Sequence, residues 1–291
     1  MTKTLTLLLS FIFGWFSLAN ASDLYSPEEA FTGKTLEFVK AIKSGDEVFI
    51  KKIQDSPEKI DINLAVNFPA SFDFLRPLNL SAKDIARGNA LTPAPYTGGY
   101  SGQSTTILNF FIINDDLAAV KRCLNLGANP TSAGNWYYDS FTFAAEFRKA
   151  QALDMILEVY PFSKMPAKEQ FRVLQNLPKI DTIKHWFSSD EFQLDPRLLE
   201  VALKHHANFN LQVPEYNNET LLTQNMVLIG YETVLWLLEH TDADPTLMTR
   251  FKENVPSMLT KWLKGTKSND KYRYKQLLRI KAALEKKNIS L

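Results

Sequence analysis

Apolar positions in this chain come in pairs of short helical stripes, each pair split by a polar break. The clearest case lies in residues 106–130. Thr106 precedes the apolar run Ile107, Leu108, Phe110, Phe111, Ile112 and Ile113, which Asn114-Asp115-Asp116 interrupts. A second amphipathic stretch, 117–126, follows, and Gly127-Ala128-Asn129-Pro130 closes it. A polar N-cap, a 3.6-residue apolar period and a terminal glycine predict a helix, a tight turn and an antiparallel helix.

Four other segments can be laid against this unit. In 36–63, Leu36, Val39 and Ile42 recur at helical spacing, and Ser44-Gly45-Asp46 turns the chain. Val48, Ile50 and Ile53 then mark a second helix, closed by Asp61-Ile62-Asn63. A further unit begins near Ser140, with Phe141, Phe143, Ala144, Ala145 and Phe147 in its first helix and 152–159 as its second. Tyr160-Pro161 ends it, because proline disfavours helix at the residue before it. The unit at Thr220 carries Leu221 and Leu222, turns at Gly230, and continues through Val234, Leu237 and Leu238 to Asp244-Pro245. Between these two the pattern degrades: 168–177 and 180–187 read as one helix pair, and 197–206 runs into Ala207-Asn208-Phe209-Asn210. Two more helices follow Val255, the last over 271–286 with Leu277, Ile280 and Leu284 as its docking stripe. One hairpin alone cannot bury its apolar face, so such units must stack.

The units at Thr106 and Thr220 resemble the ankyrin repeat, whose pattern opens Thr-Pro-Leu-His and ends Gly-Ala-Asp. Ile107-Leu108-Asn109 and Leu221-Leu222-Thr223 stand at the opening here, and Gly127-Ala128-Asn129 at the close. Lys204-His205-His206-Ala207-Asn208 lies over the family's Glu-His-Gly-Ala-Asp, and Glu239-His240 occupies the same place. The likeness covers most of 36–245. It implies an all-α, ankyrin-like helical repeat solenoid over 22–254, with a long loop insertion after the first repeat (64–105) and a C-terminal helical cap over 255–291. It also implies a monomer that binds protein, without catalysis and without a cofactor. Bacterial periplasmic proteins of this kind are often immunity proteins, so the resemblance points to a secreted toxic effector, such as a lipase or cell-wall hydrolase, as the partner. Two other readings stay open: a periplasmic accessory protein supporting a partner enzyme, and a hydrolase built on a helical scaffold.

Two stretches exceed what the repeats require. Asn63 and Asn129 are 66 residues apart, twice the 33-residue ankyrin period, but the intervening sequence lacks the pattern and reads as an insertion. It holds Pro69, Pro77, Pro93 and Pro95 among the aromatics Phe68, Phe72, Phe74, Tyr96 and Tyr100. Loops beyond about 15 residues are functional or disordered, and disordered ones are poor in aromatics. Phe72, Phe74, Arg76, Tyr96 and Tyr100 are therefore candidate partner-binding residues. Trp136, Tyr137 and Tyr138, adjacent in the finger after the Thr106 unit, are the second group, since Trp and Tyr commonly anchor interfaces. In both places the alternative is that the aromatics only pin the segment to the stack.

The first 21 residues change the picture of location. Lys3, an apolar run from Leu5 to Phe16 and Ala19-Asn20-Ala21 match a secretory signal peptide cleaved before Ser22, which leads to the periplasm. That run is shorter than the roughly 20 residues of a membrane span. The single cysteine, Cys123, cannot form an internal disulfide, so packing must supply stability. Within 261–291 ten basic residues face two acidic ones, a net +8 that leaves −8 on 22–260. An acidic body with a basic tail argues against a nucleic-acid partner.

Catalytic and metal motifs are missing from the sequence. No His-Glu-x-x-His occurs, and one cysteine excludes cysteine-rich zinc sites. Gly98-Gly99-Tyr100-Ser101-Gly102 lacks the Lys-Ser/Thr of a phosphate loop, and no Gly-x-Ser-x-Gly elbow is present. His205 and His240 read as helix C-terminal residues and Cys123 as a buried structural thiol. In the last helix, Lys271, Arg273, Lys275, Arg279 and Lys281 form a solvated face, or else a surface for an acidic partner or anionic membrane.

Overall fold

Short helices joined by tight polar turns account for nearly all of the regular structure. A computed structural model describes residues 24–67, 104–133, 139–178, 194–266 and 270–291. The leader 1–21, the helical stretch expected at 180–187 and all eight candidate partner-binding residues lie outside these. In chain order the elements are α1 (Pro27–Ala30), α2 (Gly33–Ser44), α3 (Glu47–Gln54), β1 (Val66–Asn67), β2 (Ser104–Thr105), α4 (Ile107–Ile113) and α5 (Leu117–Asn125). There follow α6 (Ser140–Glu146), α7 (Ala150–Val159), α8 (Ala167–Asn176), α9 (Arg197–Lys204), α10 (Leu221–Val227), α11 (Tyr231–His240), α12 (Val255–Gly265) and α13 (Lys271–Lys286).

Capping chemistry sets the starts. The side chains of Asp46, Thr106, Asp116, Asp139, Thr220, Asn254 and Asp270 each accept the backbone N–H three residues on, satisfying one of the unpaired donors at a helix start. Four of the hairpin turns contain one residue in the left-handed region: Gly45 (φ 75°), Asp115 (60°), Arg148 (56°) and Ile229 (63°). The stop after the second helix repeats too, with Gly127 at φ 86° and His206 at 57°. His206 thus stands where the repeat pattern has glycine. Gly45 is needed twice over, because a Cβ there would also meet the Arg122 guanidinium at 2.8 Å. That guanidinium donates to the carbonyls of Ile42 and Lys43, tying α5 to the end of α2.

The hairpins stack in two rows. In one row α4 packs on α6, α6 on α8, α8 on α10 and α10 on α12. In the other α5 packs on α7 and α7 on α9, and farther along α11 packs on α13. Six helix pairs among the described residues therefore share one apolar core, an all-α, ankyrin-like arrangement. In the degenerate region the helices read at 168–177 and 197–206 are both present, and 180–187 lies outside the described residues. There α8 takes a place in the first row and α9 in the second, so these two make the fourth unit, with 177–196 between them. Periodicity shows that a stripe exists but not which neighbour covers it.

Burial carries the short helices. α4 is seven residues long and rich in β-branched side chains, too short to persist alone. All seven are buried. Phe110 and Phe111 alone contribute about 1.5–3 kcal/mol each. An N-terminal strap crosses this helix: the Tyr25 N–H donates to Asn114 Oδ1 at 2.7 Å, and the Phe31 ring meets Phe110 edge-on at 4.9 Å. Cys123 is fully buried in α5, and burial pushes its thiol pKa up, which suits a structural role. The long segment after the first unit leaves and re-enters the stack at one point. Val66 pairs with Thr105 and Asn67 with Ser104 in a short antiparallel ladder, so the stack continues past it.

Among the described residues no single helix is long and apolar enough to cross a membrane. The apolar pair Pro214–Val227 and Tyr231–His240 bends by 118° and belongs to the fifth hairpin.

Candidate protein-interaction surface

Polar side chains link successive units and fix their register. Ser140 Oγ donates to Asn109 Oδ1 at 2.7 Å in the interior. Arg172 reaches from α8 to both the Asp139 carboxylate and Thr142 Oγ1, the latter at 3.2 Å. Burial works against the Arg172 charge, but the bond to Asp139 outweighs it and raises the guanidinium pKa. Nearby, burial pushes the Glu169 carboxyl above its usual range. Gln224 Nε2 donates to Gln175 Oε1 at 3.0 Å, continuing the thread from α8 to α10. In the second row Asp154 of α7 accepts Lys204 Nζ at 2.7 Å and lies 2.6 Å from His205 Nε2. Desolvation opposes ionisation of Asp154, yet these two partners hold its pKa below the ordinary value.

The fingers between units are tied in the same way. Four of them open with a carboxylate or amide oxygen accepting the N–H two residues on: Asp61 from Asn63, Asn129 from Thr131, Asn208 from Asn210, and Asp244 from Thr246. Asn63 Oδ1 then accepts Asn129 N–H at 2.7 Å, and Asn210 Oδ1 accepts Asp244 N–H at 2.6 Å. Equivalent positions are thus Asp61 and Asn129, 68 residues apart, and the match to two full periods does not survive.

α4, buried throughout, offers little to a partner. In the second half, exposed apolar side chains stand at the α10–α11 turn (Val227, Leu228 and Ile229) and in the next finger. In the finger between α11 and α12, Met248 is 53% and Phe251 64% exposed, flanked by exposed Arg250 and Lys252. Their backbone is held from both sides. Thr249 N–H donates to the Glu253 carbonyl at 2.8 Å, and Thr249 Oγ1 accepts the N–H groups of Phe251 and Glu253. Arg250 N–H donates to Asn217 O at 2.7 Å, and Gln212 Nε2 donates to both Asn218 O and Met248 O. In the adjoining finger Tyr216 stacks on buried Phe171, ring centres 4.9 Å apart. Two neighbouring fingers therefore form one cross-bonded ridge that holds Tyr216, Met248, Arg250 and Phe251 at its tips.

Such a ridge can bind protein: large apolar side chains on a pre-ordered backbone lose little freedom on contact. A sequence signal for it existed, since Met248 and Phe251 lie between the stop at Asp244-Pro245 and the N-cap Asn254, where no helix needs them. His205 caps α9 as its pattern position implies, while its partner Asp154 could not be inferred from spacing. His240 stacks on Trp236 one turn back, ring centres 5.1 Å apart. No group of three or more His, Cys, Asp or Glu side chains that could hold a metal occurs among the described residues.

No family model matches the sequence, and no curated protein does. Among solved structures, the chain is similar to EF0377, an ankyrin repeat protein, with a TM-score of 0.43 at 13% identity over 86% of this chain and 98% of that one. It is also similar to the ankyrin repeat domain of Bcl-3, a member of the IkappaB family, with a TM-score of 0.37 at 13% identity over 83% of this chain and 97% of that domain. The ankyrin-like description rests on the hairpins, their turns and their two rows.

Proposed function

We propose that this protein is a non-catalytic protein-binding module that engages its partner through the finger ridge. The observation that carries the reading is the pair Met248 and Phe251, mostly exposed on backbone bonded within its own finger and to its neighbour. In its narrower form the proposal is a periplasmic immunity protein that neutralises a secreted toxic effector by stoichiometric binding. Support for that form is the leader pattern of the first 21 residues together with the ankyrin resemblance.

The test is affinity capture from the envelope fraction of the native cell, comparing the wild-type chain with Met248→Asp/Phe251→Asp. Both side chains are exposed, so the melting curve should not move while a stoichiometric partner is lost. Equal capture by both forms sinks the ridge as the binding surface. The narrower form makes a genetic demand: deleting the gene must be toxic only when the effector is present.

A further inference from the structure

The last helix carries two long faces, and only one of them is buried in the stack. Gln276, Leu277, Ile280, Ala283 and Leu284 are buried, where α13 packs on α11 and α12. On its other side, Lys271, Tyr274, Lys275, Leu278, Arg279 and Ala282 are all exposed. These six fall into two parallel rows at four-residue steps: basic at 271, 275 and 279, apolar or small at 274, 278 and 282. Four residues advance a helix by about 6 Å, so each row runs about 12 Å along the surface.

A wall from α12 turns this face into a groove. Leu263 and Thr266 line its far side, and the open groove holds about 780 Å³. Its shape is held by two ties. The Arg273 guanidinium lies 5.3 Å above the Trp262 ring, joining α13 to α12, and Arg279 bonds Glu232 and Gln276, joining it to α11. A helix that only caps a stack needs a polar outer face. Here Tyr274 and Leu278, each 42% exposed, stand with Leu263 in the middle of that face, which capping does not explain.

We propose that the groove between α12 and α13 docks an acidic amphipathic helix of a partner protein. Rows at four-residue spacing are the ridges that pack between helices, crossing at about −50° when both helices use them. A partner helix with an apolar row beside an acidic one fits both rows at once. Leucine-like side chains enter between Leu263, Tyr274 and Leu278, and carboxylates face Lys271 and Lys275. The excess of +8 over 261–291 favours an acidic occupant at longer range. A flat anionic bilayer is the weaker match, because the apolar residues lie within a recess rather than on a crest. This docking site stands independently of the finger ridge.

The probe is a fluorescent synthetic helix of about 18 residues, five turns, with Glu at every fourth position and Leu in the adjacent row. Its control has Lys in place of each Glu. Anisotropy with the wild-type chain should show binding of the Glu helix, weakening with salt, and little binding of the Lys helix. Leu278→Asp should weaken it by about tenfold, and Lys271→Glu/Lys275→Glu should reverse the preference toward the Lys helix. Circular dichroism melts confirm that each variant folds, the charge-reversal pair included. Hydrogen exchange must show protection on α12 and α13. Equal binding of both helices, protection confined to 246–253, or tighter binding to phosphatidylglycerol vesicles than to the Glu helix overturns the proposal.

Discussion

Removing the Arg172 guanidinium tests the register of the stack at the place where the sequence is least regular. Asp139 is almost fully buried, with 3% of its side chain exposed, while Arg172 retains 30%. One carboxylate oxygen accepts Thr142 N–H and Thr142 Oγ1–H, both at 2.9 Å, and the other accepts Arg172. Arg172→Met keeps the apolar stem and deletes the charge, so the buried carboxylate loses its counter-ion and one oxygen loses its partner. Breaking a fully buried pair from one side costs about 3–5 kcal/mol. Partial access of water at Arg172 reduces the expected loss to about 2–3 kcal/mol. In Asp139→Asn/Arg172→Met the cap survives, because Asn caps as well as Asp, and no charge is stranded; the loss should be about 1 kcal/mol. The double-mutant cycle in urea, completed with Asp139→Asn alone, should therefore return a coupling of at least about 1–2 kcal/mol. Hydrogen exchange should show faster opening of α6 and α8 before other helices, since a stack yields locally. Arg172→Met within about 0.5 kcal/mol of wild type, or a double variant as unstable as the single, would refute the placement of α8 against α6.

Three further substitutions test local geometry and charge. Ile229 is a β-branched residue at φ 63° with 44% of its surface exposed, so Ile229→Gly should raise stability by about 0.5–1 kcal/mol, and a lower urea midpoint contradicts the strain argument. Gly45→Ala should cost more than Gly127→Ala: both glycines have positive φ, but a Cβ meets Arg122 only at Gly45. The backbone part is about 1–2 kcal/mol in each. Equal losses would mean that Arg122 moves away freely. Asp154 has a lowered pKa in the fold, so its contribution is present above the unfolded value of about 3.9 and is lost as pH falls through the folded one. The stability gap between wild type and Asp154→Asn, about 0.5–1 kcal/mol at pH 5, should close between about pH 4 and 2; a gap that stays constant there excludes the ion pair as its source.

Hairpin units were legible wherever local rules and burial agree. At Thr106 the N-cap, the polar break at Asn114-Asp115-Asp116 and the stop at Gly127 all act within a few residues, and the chain obeys each of them. His206 marks the limit of that logic. It takes the left-handed conformation of Gly127, and only alignment with the repeat exposes it, since histidine carries no turn signal of its own. The packing of the degenerate stretch was hard to read for a different reason. α9 is strongly amphipathic, but its burial depends on α7 and on the Asp154 contacts to Lys204 and His205, about 50 residues away in sequence. Pairing across that distance has no local signature.

The candidate surface was harder to see because exposure is a property of what fails to cover a residue. Composition drew attention to the aromatics of 68–103 and 134–138, where density of Phe, Tyr and Trp is high. Met248 and Phe251 are only two residues, and a finger with two apolar side chains reads equally well as one packed on its neighbour. What separates these readings is the bonding of the backbone: Thr249, Gln212 and Asn217 satisfy the finger's own polar groups without calling on the side chains, which are left outward. The same reasoning applies to Tyr274 and Leu278. Their helix already has a buried stripe in Leu277, Ile280 and Leu284, and the second apolar row lies outside it. Where a helix or finger is fully held by one set of contacts, a cluster of further apolar side chains is left available to a partner.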